Sequence, residues 1–195
     1  MPNTSATGGY LTSTSTPPLN DDGLADFMHD VIVGVTGIAN NNVRPAFQKN
    51  PPARPSHNVN WCGFRIDNQV PESGGAYVEE KFSGAGATQQ RHESFELACA
   101  FYGPNCRGYA QALRDNLEIQ QNRELMYLAG VAFVDAGPLS QNAEQVHEEW
   151  YDRADIVLTF RRQLDRDYSI LSFAAANGTI HTETLTIAWA VSPEV

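Results

Sequence analysis

The chain has 195 residues, 42% of them apolar and 18% charged, which suits a folded globular protein and suffices for one good-sized core. Its formal net charge of −10 disfavours stable contact with nucleic acid over most of the surface, and no apolar run approaches the ~20 residues of a membrane span, so a soluble protein is expected. Three cysteines, Cys62, Cys99 and Cys106, with no CxxC pair, argue against a disulfide framework and a zinc site and are usual for reduced, cytoplasmic thiols.

Residues 1–19 are expected to be a flexible N-terminal arm. They have neither the basic start nor the apolar core of a secretory signal, and their Ser, Thr, Gly and Pro give them little to bury. Such an arm orders only through contacts outside its own domain. Residues 20–195 are expected to form a single α+β domain. Asn20 or Asp21 can cap a helix whose apolar stripe is Leu24, Phe27, Met28, Val31, Ile32 and Val35, with Asp21, Asp22 and Asp26 near its positive end. Residues 40–57 carry four prolines and no periodicity, which predicts an extended connector.

A strand is predicted at Asn60 to Asp67, with Cys62, Phe64 and Ile66 on one side and Trp61, Gly63 and Arg65 on the other. Pro71 to Gly75 reads as a turn and Ala76 to Phe82 as a polar strand, with the Gly-rich Ser83 to Thr88 completing a projecting hairpin. The clearest stretch is Arg91 to Leu117. Phe95, Leu97, Cys99 and Phe101 alternate with smaller or polar residues behind Glu93, the period of a half-buried strand. Tyr102-Gly103-Pro104 breaks it, Pro104 suits a first helical position, and Cys106, Tyr109, Ala110, Leu113 and Leu117 follow at helical spacing.

Gln120 to Arg123 reads as a polar break, Glu124 to Ala129 as a short helix, Val131 to Asp135 as a strand and Gly137 to Gln145 as a loop. Trp150 to Arg162 is a long strand with Ala154, Ile156, Leu158 and Phe160 on one face. Tyr168 to Ala175 and Thr179 to Val191 are predicted as the last two strands, joined at Asn177-Gly178. The order of elements predicts a mainly antiparallel mixed sheet with helices packed on one face.

No residue is assigned a catalytic, cofactor-binding or metal-binding role. His147-Glu148-Glu149 starts like a zinc-protease helix, but the second His that motif needs is Tyr151 here. His92-Glu93 and His29-Asp30 are expected to be solvated surface pairs, and Cys99 and Cys106 small buried hydrophobes. Ser83 to Ala87 lacks the helix and Lys of a phosphate loop. Arg161, Arg162 and Arg166 interleave with Asp155, Asp165 and Asp167, which favours salt-bridged strand ends or an interface over a basic patch.

The order of several short segments resembles the neck or tail terminator proteins of tailed bacteriophages. They are Val43-Arg44-Pro45-Ala46-Phe47-Gln48 with Pro51-Pro52 and Trp61-Cys62-Gly63-Phe64; Phe101-Tyr102-Gly103-Pro104-Asn105 with Tyr109-Ala110 and Leu113-Arg114-Asp115; Ile119 to Glu124; and Trp150 to Asp155 leading to Arg161-Arg162. The set spans Val43 to Tyr168, leaving the N-terminal arm and Thr179 to Val191 outside it.

The resemblance implies a non-enzymatic virion protein at the head–tail interface, assembled in the bacterial cytoplasm. It implies a homo-oligomeric ring, usually of six subunits, that caps the tail tube, docks to head-completion or adaptor proteins and leaves a channel for duplex DNA. It implies no cofactor and no membrane. An acidic lumen would let DNA pass without sequence-specific binding. Two other classes share this acidity and fold type: another head–tail connector or tail-tube subunit, and a small soluble α+β enzyme, which would need convergent polar groups in a cleft.

Overall fold

A computed structural model of the chain describes residues 3, 6–72, 74–80, 86–146, 148–170, 176–182 and 185–191. In chain order its helices are α1 (Asp21–Thr36), α2 (Cys106–Leu117) and α3 (Gln120–Leu128). Its strands are β1 (Val43–Pro45), β2 (Trp61–Pro71), β3 (Tyr77–Glu80), β4 (Ala87–Tyr102), β5 (Val131–Ala136), β6 (Ser140–Val146), β7 (Glu149–Tyr168), β8 (Ala176–His181) and β9 (Thr186–Val191). A sheet of order β1-β2-β4-β7-β5 carries β3 on β4 and β6 on β7, while β8 and β9 pair with each other. β1 runs parallel to β2 and the β2–β4, β5–β7 and β6–β7 ladders are antiparallel, so the fold is α+β with a mixed, mostly antiparallel sheet. The chain divides into two compact units, one of residues 18–75 and 91–164, the other of residues 1–17, 76–90 and 165–195.

The larger unit holds the hydrophobic core. Period-two alternation turns Cys62 and Phe64 of β2, Phe95, Leu97, Cys99 and Phe101 of β4, and Ala154, Ile156, Leu158 and Phe160 of β7 into one buried cluster. Leu24, Met28 and Ile32 recur at every fourth position of α1 and complete that cluster with Ala110, Leu113 and Leu117 of α2. Each Leu, Ile, Met or Phe buried this fully contributes about 1.5–3 kcal/mol. Phe160 stacks on Phe95 at 5.4 Å between ring centres and meets the edge of Phe133 at 5.7 Å, tying β4, β5 and β7 together. Gly37, at φ 72°, ends α1 with its N–H on the Val33 carbonyl, a conformation in which a Cβ would be strained.

Several boundaries differ from those the sequence predicts. α2 starts at Cys106, not Pro104, because Gly103 at φ 100° turns the chain first and its carbonyl accepts the Cys106 N–H at 3.1 Å. The expected connector at 40–57 contains β1, whose three residues gain a ladder only through β2. The expected polar break at 120–123 is the first turn of α3. The expected loop at 137–145 contains β6, a polar edge strand held by its backbone ladder to β7 and therefore without apolar alternation.

In the smaller unit, Tyr77↔Gln90 through Glu80↔Ala87 pair β3 with the start of β4 as an antiparallel hairpin. Residues 81–85 of its connection lie outside the described residues. The last two strands also differ from expectation. Asn177 and Gly178 sit inside β8, paired with Ala190 and Trp189, and the reversal falls between His181 and Thr186, where Thr182 N–H bonds the Leu185 carbonyl at 2.8 Å. Most of the predicted strand at 168–175 lies outside the described residues, and Tyr168 ends β7. The arm meets partners in its own chain: Thr14 N–H donates to the Asp167 carbonyl at 2.8 Å, and the Ser15 hydroxyl accepts the Asp167 N–H at 3.1 Å.

Candidate interaction site

The side of the sheet turned away from the helices carries Trp61, Gly63 and Arg65 of β2, Ala98, Ala100 and Tyr102 of β4, and Arg153, Asp155 and Val157 of β7. With Arg44 to Gln48, Pro51, Pro52 and Arg54 of the connector they line a groove of about 510 Å³. The register sets Gly63 opposite Ala100 and Arg65 opposite Ala98, which gives the groove a floor of small residues. A second depression of about 230 Å³ adjoins it and shares Pro45, Ala46, Phe47, Phe64 and Arg65.

Arg54 organises one end. Its guanidinium carbon lies 4.4 Å from the Tyr151 ring centre, 4.8 Å from that of Tyr102 and 5.6 Å from that of Trp61. Trp61 and Tyr102, direct ladder partners, stack at 4.2 Å and 8°. This cage of ring faces holds a cation that the proline-rich connector delivers to the sheet. Arg54 Nη1 donates to Glu144 Oε1 at 3.1 Å, and Arg153 Nη1 donates to the other Glu144 oxygen at 3.3 Å. Arg153 Nε donates to Asp155 Oδ1 at 2.8 Å. The hydrogen bond from Arg54 holds the Glu144 carboxyl below its ordinary value, and burial raises the Tyr102 hydroxyl above its own. Arg54 Nε and Nη2 and Trp61 Nε1 are buried without a hydrogen-bond acceptor, and the faces of Trp61, Tyr102 and Tyr151 are what meets the guanidinium.

At the other end, Phe47 is 87% exposed and stands at φ 60°. Arg44 Nε donates to the Asn41 carbonyl at 3.1 Å and Nη1 to the Ala53 carbonyl at 2.7 Å. Chemically the groove offers apolar surface, ring faces and fixed cations. These groups bind; none of them is an activated nucleophile.

The residues weighed in the sequence fall elsewhere. Arg162 and Glu93 form a buried ion pair at 2.5 Å inside the larger unit, and Arg161 pairs with Glu72 at the surface. The hydrogen bond from Arg161 holds Glu72 below the ordinary carboxylate value. His29 differs from the solvated pair expected: on α1 its Nδ1 meets Asp30 Oδ1 at 3.0 Å and its Nε2 the Asn40 carbonyl at 3.1 Å, with the imidazole mostly covered. Cys62, Cys99 and Cys106 are free and buried, and burial pushes the Cys62 thiol well up and Cys106 up, which keeps them poor nucleophiles. His147 and most of Ser83 to Ala87 lie outside the described residues. Among the described residues no three or more His, Cys, Asp or Glu side chains converge as metal ligands, and no helix is long and apolar enough to cross a membrane.

The sequence reading missed Arg54, Glu144 and Tyr151 as a group. Arg54 sits between prolines and Glu144 in a polar stretch, so neither belongs to a periodic pattern; the alternation of β7, extended back from Ala154, falls on Asp152 and Trp150 and passes over Tyr151. A family model described as phage neck terminator protein matches residues 21–184. No curated protein matches the chain.

Proposed function

The chain belongs to the phage neck terminator family, and from that membership we propose that it closes the phage tail tube as a ring of six copies at the head–tail junction. The carrying observation is the extent of the match, residues 21–184, which takes in the whole helix-covered sheet. The family's role is structural and its place is the neck of the virion. In this proposal the ring assembles in the host cytoplasm, binds the last tube ring on one side and head-completion or adaptor proteins on the other, and leaves a channel for duplex DNA.

The mechanism is competition at a polymer end. A subunit that binds the terminal tube ring more tightly than the next tube subunit does, and then presents a face the tube protein cannot extend, stops growth there. Head-to-tail contacts between identical subunits close when the rotation between neighbours divides the circle, so the stop is complete once the ring is. A net charge of −10 supports the conduit: the genome passes a surface of its own sign and does not stick.

Removing the gene tests this. The expected phenotype is tails of abnormal length or tails not joined to heads, with tube protein still made. Normal-length tails joined to filled heads would overturn the terminator role. A neck reconstruction with a channel too narrow for duplex DNA in the mature particle would overturn the conduit.

A further inference from the structure

Phe47 lies between the two depressions and lines both, yet its own side chain is 87% exposed. Its backbone is at φ 60°, a region that bulky residues rarely enter. The isolated subunit gains nothing from spending that conformation to hold an aromatic ring in water. Such a ring is useful as an anchor that a partner covers.

The charge beside it points the same way. Three of the groove's arginines already have carboxylates: Arg54 has Glu144, Arg65 has Asp67, and Arg153 has Glu144 and Asp155. Arg44 has none among the described residues. Two carbonyls hold its Nε and Nη1, so its orientation is set before any acid arrives. A guanidinium held by two backbone carbonyls in the same groove as an exposed aromatic, with a floor of Gly63, Ala98 and Ala100, fits a segment that places an acidic side chain beside an apolar one.

Composition selects the source of that segment. The groove's four arginines meet three carboxylates, Glu144, Asp67 and Asp155, which leaves it one unmatched positive charge, at Arg44, while the chain as a whole carries a net charge of −10. Every other copy of the chain therefore presents a surface of mostly opposite charge to this groove. We propose that the Arg44–Phe47 groove is the socket by which one subunit receives an acidic segment of a second copy of the chain. The inference rests on the ring reading, in which a subunit's neighbours are copies of itself, and it makes the contact heterologous, as a closing ring requires.

The test uses whole phage particles carrying Phe47→p-benzoylphenylalanine, a photo-crosslinking residue, with a parallel set carrying it in place of Pro51 on the groove wall. Irradiation is expected to give a product of twice the chain's mass at both positions, with the attached peptide containing Asp or Glu. Adding Arg44→Glu should reduce that product tenfold or more, and Arg44→Lys should restore part of it. Products joining the chain to a different virion protein, or no product from particles that hold the chain in normal amount, would overturn docking on a second copy and leave the ring reading standing. Absence of the chain from the necks of wild-type particles would instead overturn the ring reading, and the proposal with it.

Discussion

Arg162 and Glu93 face each other inside the core, with Arg162 Nε donating to Glu93 Oε1 at 2.7 Å and both side chains almost wholly shielded from water. The same guanidinium reaches the chain entering α1: Nη2 donates to Asn20 Oδ1 at 2.9 Å and Nη1 to the Leu19 carbonyl. Asn20 is the residue before the helix, and its side-chain oxygen makes no capping bond there but accepts from Arg162. One arginine thus fastens β7, β4 and the start of α1. Arg162→Met leaves the buried Glu93 carboxylate with only Arg91, whose Nη2 is 3.8 Å away, and is expected to cost about 3–5 kcal/mol. The double variant Arg162→Met with Glu93→Leu should recover most of that, short of the bonds to residues 19 and 20. Urea denaturation of the single and double variants checks it; a double variant no better than the single would show that the carboxylate is not what suffers.

Gly103 is the tightest point between β4 and α2. A Cβ there would stand 2.5 Å from the Val59 carbonyl oxygen and 2.9 Å from the Asn60 Cα, both backbone atoms that cannot swing aside, on a backbone at φ 100°. Gly103→Ala is expected to destabilise by roughly 2–4 kcal/mol, the combined scale of backbone strain and overpacking. For a chain of this size that is a fall in Tm of roughly 5–15 °C. Calorimetry of this variant beside Gly34→Ala, where nothing lies within 4 Å of the added methyl, separates the close approach from a general effect of losing glycine.

The three thiols give a readout of core integrity. Cys62, Cys99 and Cys106 are buried, and burial, which penalises the thiolate, raises Cys62 and Cys106. The native chain should react with a disulfide reagent at pH 8 at least a hundredfold more slowly than the chain in denaturant. Rapid modification of any one thiol in the native state would contradict the packing of β2, β4 and α2.

How much of this was legible follows from where the sequence repeats itself. Phe95 to Phe101 and Ala154 to Phe160 alternate strictly because one side of each strand faces the helices, so the central strands and their inward faces could be read directly. β6 could not, since Ser140 to Val146 lies mostly exposed and its pairing with β7 is carried by backbone groups common to every sequence. Asn177-Gly178 carried a turn signal that the ladder to Ala190 and Trp189 overrode. The groove was hidden for a further reason: Arg54, Trp61, Tyr102, Glu144 and Tyr151 lie far apart in the chain and meet only when β2, β4, β6 and β7 take their register. Arg44 and Phe47 stood within a segment that carried the family resemblance, but nothing in their neighbours told of a fixed guanidinium or of a ring left in water.

The Arg54–Glu144 pair makes a prediction in pH. Glu144 is held below its ordinary carboxyl value of 4.5, first by the hydrogen bond from Arg54, with burial opposing and the charges of Arg54 and Arg153 assisting. A folded value below the unfolded one means that folding favours the ionised form. The stabilisation is therefore complete above the unfolded value and is lost as pH falls from about 4.5 through the depressed folded value. Glu144→Gln removes the charge at every pH. At pH 7 it should be less stable than the parent, and the gap should narrow as pH falls below 4.5 and the parent's Glu144 loses its ionised form as well. Glu144 is partly solvated, so the difference is the modest one of a surface-exposed pair, and added salt should shrink it. Parallel urea denaturation of both proteins at pH 7 and at pH 3.5 measures this; a gap that is constant across that range would mean that the carboxylate's charge does not hold Arg54 in its aromatic cage.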